Sequence, residues 1–140
     1  MWRAIAGIVA GFVAWWAVAT ILDIGLRLWL PGYVQAEHAM LFTLPMKIAR
    51  LSIAVVAAVA AGAVVRVVAP ASRWAPWIAG LVLLLLFVPV HAHIWSKFPV
   101  WYHLTFLLTL APLVVIGAHL WPHGATGTAE SGKDVVGNAA

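Results

Sequence analysis

The chain has no cysteine, which removes disulfides, thiolate metal sites and cysteine nucleophiles and leaves histidine, carboxylate and hydroxyl groups to carry any chemistry. Charge is nearly as scarce. Only 9% of residues are Asp, Glu, Lys or Arg, against about 25% in an ordinary soluble domain. Acids are the rarest charged class, and before Pro122 only Asp23 and Glu37 represent them. There is no Gly-x-Ser-x-Gly elbow, no phosphate-binding loop, no His-Glu-x-x-His helix and no paired carboxylates within an apolar run, so none of the common catalytic templates applies. A nucleic-acid platform is excluded too, because basic and aromatic residues do not interleave along any stretch.

Apolar residues supply the rest, 65% of the chain with a mean hydropathy of +1.04. The composition makes the lipid bilayer the expected solvent and first partner. Seven Lys and Arg precede Pro122 (Arg3, Arg27, Lys47, Arg50, Arg66, Arg73 and Lys97), and in this setting a pI near 10.2 points to flank anchoring and anionic headgroups.

Prolines and charges cut the apolar sequence into four runs of about 4–30, 44–69, 74–95 and 99–121, each long enough to cross a bilayer, which needs about 20 residues. The fold class predicted is an all-α membrane protein, four transmembrane helices in an antiparallel bundle. Between the first two runs, Pro31 to Pro45 carries Tyr33, Gln35, Glu37, His38 and Thr43 and is too short to span, so it reads as an interfacial or re-entrant segment. Residues 122–140 are rich in Gly, Ala, Thr and Ser and are expected to form a disordered polar tail.

Arg3, the first apolar run and Ala17-Val18-Ala19 imitate a secretory signal. The apolar pattern continues past Thr20 and Trp15-Trp16 crowd the cleavage site, so the run is read as an uncleaved span. Trp2, Trp29, Trp74, Trp77, Trp95, Trp101 and Trp121 fall at or near the ends of the spans, where indoles favour the headgroup level. Trp15 and Trp16 lie mid-span and are expected to pack or to face lipid. Gly7 and Gly11, and Ala54, Ala58 and Gly62, recur at four-residue spacing and mark faces for close helix approach.

An even number of spans places the loop between helices 1 and 2 and the loop between helices 3 and 4 on one membrane face. Asp23, Arg27, Glu37, His38, His91, His93 and His103 therefore gather at one end as a candidate ligand or ion site. Asp23 and Arg27 are spaced for an i,i+4 ion pair. His91 and His93 lie about 200° apart on a regular helix, so only one faces inward unless Pro89 kinks or unwinds the turn. If the chain turns around Ser96 to Phe98, His93 lies opposite His103, and these two are the expected pair. With Glu37, His38 or Asp23 they could ligate zinc, copper or haem iron; the preferred reading is that they bond backbone carbonyls or anchor at the headgroups. His119, about 24 Å of helix beyond His103, belongs to the opposite face with His123.

Three functions follow from this reading. The first is a non-catalytic accessory or scaffold subunit, packing through its Gly and Ala faces in a homo-oligomer or a larger membrane complex. A small ion or solute transporter or channel, using Asp23 or the histidine and arginine face, is the second. The third is a metal- or haem-binding redox protein using His93 and His103. The expected location is a bacterial inner membrane. Basic residues on the two faces nearly balance under the positive-inside rule, and the balance tips toward cytoplasmic termini because Asp23 can neutralise Arg27 while Arg66 and Arg73 share a short acid-free loop.

Overall fold

The computed structural model describes residues 1–121; the polar tail, with His123 and Lys133, lies outside the described residues. Among them the chain is helical throughout, in the order α1 (Trp2–Trp29), α2 (Tyr33–Ala39), α3 (Leu44–Val68), α4 (Ala75–His93), a single 3-10 turn (Trp95–Lys97) and α5 (Val100–Leu120). Helices α1, α3, α4 and α5 are long and apolar enough to cross a membrane, and the protein is an integral membrane helix bundle.

Proline and left-handed backbone set the breaks. Leu30 leaves α1 in an extended conformation, after which Pro31 denies the chain an amide for another helical bond. Gly32, at φ +78°, then turns it into α2, a conformation that costs glycine little. Met40 closes α2 at φ +55°. Pro45 and Pro76 sit in the first turns of α3 and α4, where a missing N–H leaves no hydrogen bond unmade. Pro99 precedes α5 in an extended conformation. Pro89 lies inside α4, and the helix nevertheless continues to His93; the unwinding that would let His91 and His93 face one ligand does not occur.

α3 is the central helix, flanked by α1 and α5, while α4 packs on α5 and, less extensively, on α1. Small residues make these approaches possible. Gly7 and Gly11 bring α1 onto Val65 of α3 and onto Ala69, which caps that helix. On the other side of α3, Gly62 faces the Val114 carbonyl and Gly117 the Val59 carbonyl, and a Cβ at either position would overlap that backbone. Gly80 seats α4 on Ala111 of α5. These contacts bury Ala57, Ala58, Ala61 and Val65 along α3, where dispersion between close backbones stabilises helix pairs in lipid.

The outward surface remains apolar, as a bilayer requires. Trp2, Trp29, Trp74, Trp77, Trp95, Trp101 and Trp121 are exposed near helix ends. The two mid-span tryptophans part company: Trp16 faces outward, whereas Trp15 is buried with its ring 4.7 Å from that of Phe87 on α4. A second apolar cluster of Tyr33, Phe42, Met46, Phe98 and Tyr102 fastens α2 and its following loop over the same end of the bundle.

Candidate functional site

The end of the bundle under α2 collects the polar groups. Asp23 sits late in α1, Arg50 early in α3 and Glu37 on α2, so the antiparallel arrangement brings them to one level. Arg27 Nε lies 3.0 Å from Asp23 Oδ2, and its Nη2 donates to Glu37 Oε1 at 2.9 Å. Tyr33 donates its hydroxyl proton to Asp23 Oδ1 at 2.9 Å and accepts from Arg50 Nη1 at 2.7 Å. Arg50 is further from the carboxylates themselves, 3.6 Å from Asp23 Oδ1 and 3.9 Å from Glu37 Oε1, and its guanidinium also lies over the Phe42 ring at 4.9 Å.

Two cations and two anions thus balance, with Tyr33 as the uncharged link. Its side chain is fully buried, and burial, opposed by the nearby Arg50 charge and aided by the proton given to Asp23, pushes the phenol up to about 12. The hydroxyl therefore stays protonated at physiological pH and holds both ends of its bridge.

Below this network lies a cavity of about 500 Å³. α1 and α4 meet at Trp15 and Phe87 near mid-membrane, and residues of both helices nearer the charged end line the cavity. Trp15, Phe87 and Phe106 line its apolar part, Ala54 and Ile53 of α3 contribute to its wall, and Asp23, Arg27, Glu37 and Arg50 line it toward the α2 end. Thr20 and Ile24 from α1 and Val90 from α4 line the cavity and are also exposed. These exposed lining residues place an opening between α1 and α4, on the apolar outer face of the bundle, with the exposed Arg27 at its charged end.

His91 also lines this cavity. Its Nδ1 is 2.8 Å from Nδ1 of His103, with Phe106 at 4.5 Å and Tyr102 at 6.1 Å between ring centroids. His103 is completely buried and stacks on Trp95 at 4.6 Å. The expected partnership of His93 with His103 is thus replaced by His91 with His103. α4 remains regular past Pro89, and that regularity turns His93 outward, where it is exposed. His38 is exposed as well, and no group of three or more His, Cys, Asp and Glu side chains suited to a metal ion occurs among the described residues. An ion held by both Nδ1 atoms would have to displace the hydrogen bond between them and would lack the third and fourth protein ligands of a structural zinc site.

His119 belongs to the other end of α5, its Nδ1 2.7 Å from the Val115 carbonyl. Of the residues expected to form the site, then, Asp23, Arg27 and Glu37 come together in the ion network, and His91 and His103 pair beside it. Arg50, Tyr33 and the aromatic wall are the components that residue patterns did not single out. The available signal was a second arginine at the same end as Asp23 and Glu37, an inward cation that two inward acids would match.

Compared with protein-family models, curated proteins and solved structures, the chain matches none.

Proposed function

We propose that this protein binds a small amphiphilic molecule drawn from the bilayer, acting as a carrier or ligand-holding component of a bacterial inner membrane. The observation that carries this reading is the cavity between α1 and α4, apolar near mid-membrane, charged at its α2 end and bordered by exposed residues on the lipid-facing side. A pocket of several hundred cubic ångströms with a few convergent polar groups is what a small ligand requires. The apolar, aromatic-walled part suits the hydrophobic body of such a molecule, and the balanced Arg27, Arg50, Asp23 and Glu37 cluster tolerates polar groups without large net charge.

The accessory-subunit alternative drew on the Gly and Ala faces, and Gly7, Gly11, Gly62, Gly80 and Gly117 are all engaged inside the chain. We read both termini as cytoplasmic, because Asp23 and Glu37 lie against Arg27 and Arg50 on the α2 side, whereas Arg3, Arg66 and Arg73 on the other side lie in acid-free stretches of sequence.

Binding tests the proposal. Detergent-purified protein titrated with alkyl-chain amphiphiles is expected to give saturable binding, abolished in a folded Ala54→Phe variant whose ring fills the cavity. Absence of saturable binding, or binding indifferent to Ala54→Phe, contradicts it.

A further inference from the structure

A neutral imidazole carries one N–H and one lone pair. With the two Nδ1 atoms of His91 and His103 at 2.8 Å, one must donate and the other accept, and the acceptor keeps its proton on Nε2. His103 Nε2 is sealed from solvent with no hydrogen-bond partner among the described residues. Burying an N–H there without an acceptor forfeits its hydration with nothing in return, and orphaned N–H groups are rarer in proteins than underused acceptors. The favoured arrangement therefore has His103 Nδ1–H donating to His91 Nδ1, with a bare lone pair at His103 Nε2. It follows that His91 carries its own proton on Nε2.

Among the described residues that second nitrogen has no hydrogen-bond partner and, in contrast to His103 Nε2 and Trp15 Nε1, it is not among the sealed atoms. His91 is only 4% exposed, and the space it borders is the cavity. The His103 contact thus orients one uncharged N–H donor into a chamber whose neighbouring walls are Phe87, Phe98, Tyr102, Phe106 and Trp15. Flat aromatic walls favour a flat conjugated ring over a flexible polar head, and a neutral donor favours a carbonyl.

Resting on the reading of this cavity as a ligand site, we infer that its ligand is a membrane quinone: a lipid-soluble molecule whose planar conjugated ring bears a carbonyl that accepts from His91 Nε2–H. The alkyl tail leaves between α1 and α4, past Thr20, Ile24 and Val90. The inference concerns binding alone.

The test compares decyl-benzoquinone with decylbenzene, which has the same tail and no carbonyl, on the full-length protein in detergent. One net hydrogen bond predicts about tenfold tighter binding of the quinone, with the difference lost in His91→Phe, which keeps a ring at that position. Because His91→Phe also unpairs His103, the carbonyl stretch of quinone bound to unmodified protein provides a second readout and should fall to lower frequency than in empty micelles. Equal affinity for the two probes, a preference that survives His91→Phe, or an unshifted carbonyl band overturns the quinone assignment. Saturable but equal binding of both probes leaves the amphiphile site standing, whereas failure of both to bind removes the two readings together.

Discussion

His91 and His103 meet Nδ1 to Nδ1 at 2.8 Å across the turn between α4 and α5, one ring at the cavity wall and the other sealed behind it. The pair joins two helices at the point where the bundle loosens toward α2. It is also asymmetric, because His103 Nε2 is sealed whereas His91 lines the cavity.

Removing the hidden partner should therefore be costly. His103→Ala deletes a buried ring and leaves His91 Nδ1 without its partner, an expected loss of about 2–4 kcal/mol. His93→Ala, on the exposed side of the same turn, should fall within about 0.5 kcal/mol of wild type. Thermal unfolding in detergent checks both values, and similar effects from the two substitutions would contradict the pairing.

The contrast between these histidines shows where residue patterns stop being informative. Span lengths, the prolines at 31, 45, 76 and 99 and the terminal tryptophans made the bundle legible, since each acts through local chain geometry or through partition between water and lipid. Helical periodicity also established that His91 and His93 point apart. It did not say which faces inward, because the rotation of α4 is set by Gly80 settling on Ala111, a contact between helices. Arg50 escaped for a similar reason: a cation near a span end usually snorkels to the headgroups, and only the position of Tyr33 on α2 turns this one into the network. The cavity is lined by residues from all five helices, Trp15 and Phe87 among them, a convergence that no single run of sequence expresses.

Tyr33 gives the network a pH signature. Its phenol titrates at about 12 in the folded protein and at about 10 in an unfolded chain. A folded-state value raised above the unfolded one contributes stability that is complete below pH 10 and lost as pH rises through 12, because the unfolded chain sheds the proton first. Tyr33→Phe, which leaves Asp23 and Arg50 without their bridging hydroxyl, should cost about 1–3 kcal/mol at neutral pH. Its deficit relative to wild type should shrink across this alkaline window. Stability curves for the two proteins measured from neutral pH to pH 12 provide the check, and a deficit that does not shrink contradicts the assignment.

The glycines divide sharply by position. At Gly62 a Cβ would overlap the Val114 carbonyl, whereas at Gly25 nothing lies within 4 Å of the added atom. Gly62→Ala must push α3 away from α5 and is expected to cost about 1–3 kcal/mol. Gly25→Ala should instead be neutral or stabilising by about 0.5–1 kcal/mol through helix propensity. Parallel unfolding measurements decide, and a tolerated Gly62→Ala would show that α3 and α5 are less closely packed than described.

Entry of a bilayer amphiphile between α1 and α4 can be followed directly because the chain has no cysteine of its own. A single thiol is introduced in place of Ala54 in the cavity wall or, as a lipid-facing control, of Leu108, which is 71% exposed. Maleimide labelling rates are then followed in liposomes with and without an alkyl-chain amphiphile. The amphiphile is expected to slow labelling of Ala54→Cys in a saturable way and to leave Leu108→Cys unchanged; equal rates at Ala54→Cys with and without it would mean that no amphiphile occupies the cavity.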